Sequence, residues 1–225
     1  AKIYYIPETS GLTNKELKEE LACELKSQGC TPYVIDYPLG NYHSYMGYMK
    51  GYLEIIGQIA SGELPQIDHI YICSGWHGYL GLAVAESLID QKIGITSVRP
   101  SCWKDSGIGL LFPDFQNFLH LKIQEFSEFL GMTINIGCFD TTEDYVGLGY
   151  GLVDDGTLDS ISLVAQTEGM LLDPIYTGKA MTGLLDHIST GKLHNGTRVL
   201  FIHTGGWPNL PTFSSPITKF LRNRG

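Results

Sequence analysis

The sequence has 225 residues, a net charge of −9 and 27 glycines, and only 17% of its residues are charged. This length allows one large domain or two small ones with a full core, and the composition excludes a disordered or fibrous chain. The acidic balance, with no basic cluster, argues against nucleic acid and membranes as partners, and no apolar run reaches the length of a membrane span. Five scattered cysteines without a CxxC pair favour a reduced, cytoplasmic protein without disulfide bonds.

Short apolar runs alternate with amphipathic helical stretches, which predicts an α/β fold with a parallel sheet and helices on both faces. Strands are predicted over 2–6, 32–35, 69–73, 94–98 and 198–203. Helices are predicted over 14–28, 42–61, 79–90, 110–130, 157–168 and 178–190, and Asn14 is the expected N-cap of the first. Residues 137–156 are predicted to form an acidic, turn-rich loop.

Glycine-rich turns follow three of the predicted strands, at the place where open parallel sheets bind ligands. The turns are Asp-Tyr-Pro-Leu-Gly-Asn at 36–41, Ser-Gly-Trp-His-Gly at 74–78 and His-Thr-Gly-Gly-Trp at 203–207. Backbone amides of such a turn, with a helix N-terminus, form an anion cradle. The pattern is equally typical of ordinary tight turns, and the absence of a phosphate fingerprint disfavours a generic nucleotide-binding domain.

Two further groups of residues have simpler interpretations than a functional site. His69, Cys73 and His77 are spaced by four, but they follow a strand into a turn, so their side chains diverge and we predict no metal site. Cys73 at a strand end is more typical of a buried small hydrophobe than of a nucleophile paired with His77. The many tyrosines between residues 37 and 52 are typical of packing or of a subunit contact.

Three later segments together resemble one protein family. They are YGLVDDGTL at 150–158, TEGMLLDPIYTGKAMTG at 167–183 and RVLFIHTGGWPNL at 198–210. They are similar to the carboxyl-terminal part of the pyridoxal-phosphate-dependent 1-aminocyclopropane-1-carboxylate deaminase and D-cysteine desulfhydrase family. The resemblance implies the tryptophan-synthase-β-like fold, fold type II, with the amino-terminal part missing. It divides the chain into residues 1–40, a remnant of a small α/β domain, and residues 41–225, a large cofactor-binding domain.

The resemblance also implies a pyridoxal 5'-phosphate site and the residues that form it. The residues implied to hold the cofactor are Ser74, Gly75, Gly78, Thr204, Gly205 and Gly206. Thr204 would face the pyridine nitrogen, and Tyr150 and Tyr176 would be the catalytic phenols beside the substrate.

The implied reaction converts D-cysteine, 1-aminocyclopropane-1-carboxylate or a similar small amino acid into a 2-oxo acid and ammonia. It proceeds by elimination or ring opening. The family resemblance further implies a homodimer, or a second chain that carries the segment missing here. On this interpretation, the chain is a portion of a deaminase or desulfhydrase.

Two departures from the family pattern leave an alternative open. The phosphate turn is of the type SGGT in the family, whereas the matching residues here are Gly75-Trp76-His77-Gly78. The family's Schiff-base lysine lies in a segment with no counterpart in this chain, and Lys179 matches a lysine with another role. The alternative is a catalytically inactive relative that serves as a binding or scaffold subunit.

Overall fold

The computed structural model describes residues 13–34, 42–89 and 92–224 of the chain. It divides into two units, Ala1–Asn41 and Tyr42–Gly225. In the first unit, helix α1 (Asn14–Ser27) begins with a capping box, in which the Thr13 hydroxyl accepts from the Glu16 amide and the Glu16 carboxylate accepts from the Thr13 amide. Thr13 is therefore the N-cap, and the expectation of Asn14 was wrong. Residues 32–34 form no strand, and residues 2–6 and 36–41 lie outside the described ranges.

The second unit alternates strands and helices along the chain. Its helices are α2 (Tyr42–Ser61), α3 (His77–Ser87), α4 (Gly107–Leu111), α5 (Phe115–Leu130), α6 (Asp155–Glu168), α7 (Thr177–Ser189) and α8 (Ser214–Arg224). Its strands are β1 (His69–Cys73), β2 (Gly94–Val98), β3 (Thr141–Thr142) and β4 (Val199–Ile202). Short 3-10 helices cover Trp103–Asp105 and Trp207–Phe213.

The four described strands form one parallel sheet in the order β3-β2-β1-β4. In its register, Ile70 of β1 lies between Ile95 of β2 and Leu200 of β4. Parallel strands need crossover connections, which the intervening helices provide. The predicted α/β fold with a parallel sheet is therefore confirmed, and β1 and β2 have the predicted bounds.

Alternate residues of β1 pack into two separate hydrophobic clusters, one on each face of the sheet. Ile70 and Ile72 belong to a cluster rich in aromatic rings, formed with α2, α3 and α5. Tyr71 and Cys73 belong to a mainly aliphatic cluster, formed with α6, α7 and α8. We call these the aromatic face and the aliphatic face. Helices thus cover both faces, as parallel sheets require.

The sequence prediction of one helix over 110–130 was wrong. The chain instead forms α4 and α5, which are separated around Pro113. Proline lacks an amide hydrogen and disfavours helical geometry in the preceding residue, so it ends α4. The Asp114 side chain then caps α5 by accepting a hydrogen bond of 3.1 Å from the Asn117 amide.

Candidate functional site

The turns after β1 and β4 lie at the same edge of the sheet. Ile72 is directly opposite Ile202 in the parallel register, so the chain leaves both strands at the same level. Ser74 closes the first turn, because its hydroxyl accepts a hydrogen bond of 3.2 Å from the Tyr79 amide. Gly75 is exposed, and a Cβ atom added there would meet no atom within 4 Å. The backbone at Gly75 therefore borders open space.

The two bulky residues of this turn pack inward. Trp76 is 9% exposed, and its ring lies edge-on to Phe118 and Trp103 at centroid distances of 5.2 and 6.0 Å. The His77 ring stacks on the Trp76 ring at 4.7 Å. The indole is thus part of the core of the aromatic face and leaves Gly75 uncovered. The backbone at Gly75 therefore leaves room for a group such as a phosphate despite the two substitutions.

Gly78 is buried beneath α2 rather than open to a ligand. A Cβ atom at this position would lie 2.9 Å from the nearest atom of the Tyr48 ring. Its lack of a side chain is therefore explained by the close packing of α3 on α2.

The turn after β4 is held to the loop before α7 by two side chains. Gly205 and Gly206 have φ angles of +97° and +103°. Thr204, which directly precedes them, is exposed. The Gly205 amide donates to His203 Nδ1 at 3.1 Å, and His203 Nε2 lies 3.0 Å from the Leu171 carbonyl oxygen and 3.2 Å from Trp207 Nε1. Trp207 Nε1 donates to the same carbonyl at 2.7 Å.

Asp173 organises this loop and was missed by the sequence analysis. It is fully buried, and its carboxylate accepts from the amides of Ile175, Tyr176 and Thr177 and from the Thr177 hydroxyl, at 2.8–3.0 Å. A Cβ atom on Gly206 would lie 2.4 Å from the Asp173 carboxyl carbon. The sequence signal that could have indicated this role was the aspartate itself, because its side chain can accept hydrogen bonds from backbone amides a few residues later.

Tyr150 and Tyr176 form a direct pair. Their hydroxyl oxygens are 2.5 Å apart, and Tyr150 is 58% exposed. Burial raises the pKa of Tyr176 well above its usual range, and the hydrogen bond with Tyr150 and the nearby Asp173 add to this effect. At neutral pH the Tyr176 phenol is protonated, as an ordinary phenol also is, and its raised pKa makes it a weaker acid and excludes a phenolate nucleophile in this state.

Lys179 is a fully buried cation on α7, one turn beyond Tyr176. Its ammonium donates to the carbonyl oxygens of Val146 at 2.8 Å, Gly149 at 2.7 Å and Pro100 at 3.4 Å. Because these carbonyls hold the amine, it is not available as a nucleophile. The sequence analysis assigned it no role of its own.

The residues considered for a metal site are engaged elsewhere. His69 Nε2 lies 2.8 Å from the Thr96 hydroxyl, and burial raises the pKa of the Cys73 thiol. Within residues 13–34, 42–89 and 92–224, no group of three or more histidine, cysteine or acidic residues is arranged to hold a metal ion.

In the same ranges, no helix is both long and apolar enough to cross a membrane.

The chain is similar to several known proteins. It is 35% identical over 201 residues to the D-cysteine desulfhydrase of Yersinia enterocolitica serotype O:8 / biotype 1B, covering 88% of this chain and 57% of that protein. A crystal structure of an ACC deaminase homologue matches with a TM-score of 0.74 and 27% identity, over 97% of this chain and 62% of that one. The chain thus spans little more than half the length of these relatives.

More distant structures share the fold. The crystal structure of serine racemase from Dictyostelium discoideum matches with a TM-score of 0.51 at 16% identity, over 86% of this chain and 59% of that one. The model of the family described as pyridoxal-phosphate dependent enzyme matches residues 3–205. The predicted resemblance and fold type are therefore confirmed, and the chain belongs to the family of pyridoxal-phosphate dependent enzymes.

Proposed function

We propose that this chain is a portion of a pyridoxal-phosphate-dependent deaminase or desulfhydrase. Its substrate is a small amino acid, D-cysteine or one similar to 1-aminocyclopropane-1-carboxylate, which elimination or ring opening converts into a 2-oxo acid and ammonia. The observation that carries the proposal is the short contact between Tyr150 and Tyr176, at 2.5 Å. It is supported by the 35% identity to a D-cysteine desulfhydrase.

The strand-end turns provide the elements of a cofactor site. When bound, pyridoxal phosphate supplies an electron sink for negative charge at the substrate α-carbon. The open backbone at Gly75 suits the phosphate group, and the exposed Thr204 hydroxyl suits the pyridine nitrogen. A hydroxyl partner leaves that nitrogen without a proton, which is a weaker sink than an aspartate-paired nitrogen and fits elimination chemistry.

The tyrosine pair supplies the proton. Tyr176 is protonated at neutral pH, and it can pass its proton to the strongly basic carbon that ring opening releases, whereas a thiol leaves as its anion and needs no such proton. Tyr150 lies on an exposed loop, and its hydroxyl is hydrogen-bonded to the Tyr176 hydroxyl. Asp173 fixes the backbone of Tyr176 through its amide, at 3.0 Å.

Two measurements test this proposal, one on this chain and one on the complete protein that contains it. Titration of the chain with pyridoxal phosphate, followed by 31P NMR, is expected to show a bound phosphate resonance that Gly75→Val weakens. The complete protein, loaded with the cofactor and incubated with D-cysteine or 1-aminocyclopropane-1-carboxylate, is then assayed for 2-oxo acid and ammonia.

Tyr176→Phe is expected to lower the rate roughly 10²–10⁴-fold, as is usual for loss of a general acid. Tyr145→Phe is the matched control, because the Tyr145 hydroxyl donates to Asp186 at 2.6 Å and has no part in the pair. Equal rates for Tyr176→Phe and the unaltered chain would disprove the role of Tyr176.

The alternative is an inactive relative that binds the cofactor or a partner without turnover. It is favoured by one observation: Trp76 and His77 stand where the family's phosphate turn has small or hydroxyl-bearing residues. Binding of pyridoxal phosphate without product formation would support this alternative and count against the enzyme.

We further propose a cytoplasmic location and a dimer, or a second chain that completes the site. All five cysteines are free thiols, which supports a reducing compartment. Sedimentation of the purified chain distinguishes a monomer from a dimer.

A further inference from the structure

Lys179 raises the question of why a charged side chain is fully buried. Taking an ammonium group out of water is costly unless its hydrogens are bonded. Within the described ranges, no carboxylate lies within ion-pair distance of Lys179, and its partners are the carbonyls of Val146, Gly149 and Pro100. The cation is thus stabilised by backbone dipoles, which it holds together in return.

Two of these carbonyls belong to the loop that carries Tyr150. In this loop Gly147, Gly149 and Gly151 have φ angles of +64°, +133° and +73°. The Val146 amide donates to Glu143 at 3.1 Å, but the backbone hydrogen bonds around the glycines are long, at 3.4 Å from the Gly149 amide to Val146 and 3.3 Å from the Leu152 amide to Gly149. Glycine-rich backbone with weak internal bonds has many accessible conformations, so an external contact must select one.

The same lysine is attached to the element that carries Tyr176. Helix α7 begins at Thr177, directly after Tyr176, and Lys179 lies within its first turn. One side chain therefore connects the start of α7 with the carbonyl of Gly149, the residue before Tyr150. We infer that Lys179 is a positioning residue, whose ammonium holds the loop at 146–150 so that the Tyr150 hydroxyl meets Tyr176.

This inference deepens the proposed function, and its importance for catalysis rests on that proposal. Its geometry can be tested without cofactor or substrate. The chain is labelled with 3-fluorotyrosine, and its 13 tyrosines give 19F resonances, among which Tyr150→Phe and Tyr176→Phe identify the two of interest. The resonance positions report on the hydrogen bond between the two phenols.

Lys179→Met keeps the length of the side chain and removes its donors. We expect the Tyr150 and Tyr176 resonances to move towards the positions that each has when its partner is replaced by phenylalanine. Lys122→Met is the matched control, because Lys122 is also buried, at 8% exposure, but donates to Glu125 at 2.7 Å. It is expected to leave both resonances in place, even with a similar loss of stability.

A second variant decides the matter if Lys179→Met does not fold. Lys179→Gln retains one amide donor without the charge, and it is expected to shift both resonances by a smaller amount. A folded Lys179→Met or Lys179→Gln protein with both resonances unmoved would overturn the inference. The 19F measurement needs no turnover. The inference about Lys179 can therefore fail while the proposed function stands, and the proposed function can fail while the inference stands.

Discussion

The two faces of the sheet are built differently. The aromatic face is filled by large apolar side chains, including Trp76, Phe118 and Phe126. The aliphatic face has smaller apolar residues and carries the buried polar groups Asp173, Lys179 and His187, whereas the cations buried beside the aromatic rings, Arg99 and Lys122, are each paired with a glutamate. Burying polar groups costs free energy unless each finds partners, and here each one does. The difference indicates that one face mainly supplies stability, and the other fixes the position of the candidate site.

The largest expected effect is on the aromatic face. Phe126 is fully buried between Tyr42, Tyr45 and Phe129, so Phe126→Ala should lower the free energy of unfolding by about 3–5 kcal/mol. Urea unfolding measures this loss. Phe129→Ala is the control on the same helix: Phe129 is 55% exposed, and its removal should cost about 0.5 kcal/mol. Similar losses for the two variants would contradict the packing described for this face.

A glycine pair tests the close packing between the turn after β4 and the loop before α7. Gly205 and Gly206 both have positive φ angles, so alanine at either position should cost about 1–2 kcal/mol. Gly206→Ala should cost roughly 1–3 kcal/mol more, because its Cβ would overlap the buried Asp173 side chain, whereas a Cβ on Gly205 meets open space. Urea unfolding of the two variants gives the difference directly. Equal losses would mean that the Asp173 side chain moves away from the added methyl group without lowering the free energy of unfolding.

The smallest expected effect is on the pH dependence of stability. Burial lowers the pKa of both His69 and His187 below the ordinary value of 6.5. The unfolded chain therefore binds protons more readily, so their contribution to stability is present above about pH 6.5 and is lost as the pH falls through the folded-state pKa. Unfolding measured between about pH 8 and pH 5 should show this decline.

His187→Asn should flatten that decline. His187 Nδ1 lies 2.5 Å from the buried Tyr71 hydroxyl, and asparagine can place a polar atom there without titrating. The exposed His194 provides the control, since His194→Asn should leave the slope unchanged. An unaltered slope in His187→Asn would assign the decline to other groups.

Local sequence patterns predicted most of the fold but not its irregular parts. Helix α2 and strands β1 and β2 have the bounds that their apolar periodicity indicated. The two-residue strand β3 lies in a segment predicted as a loop, because its pairing with β2 is decided by distant residues. Helix α8 was not predicted, since Pro216 and its polar residues give little periodic signal. Proline is tolerated there because amides of the first turn have no helical partner.

The candidate site was predictable only in outline. Two of the three glycine-rich turns, at 74–78 and 203–207, follow strands as predicted, and the family resemblance indicated Tyr150 and Tyr176. The contacts that connect these parts could not be foreseen, because Asp173 reaches Gly206 and Lys179 reaches Gly149 only through the folded chain. A sequence does not distinguish a buried charged residue from an exposed one, so the role of such a residue follows only from its contacts in the folded chain.

Strand β4 has a consequence beyond the chemistry of the site. All four of its residues are apolar and half-buried, and among the described strands it pairs only with β1. Among the strands that the structure describes, β4 is thus an edge strand, with no partner on its outer side. The Thr204 turn continues directly from this strand, so a strand that paired with its outer side would also restrict the backbone leading into the turn.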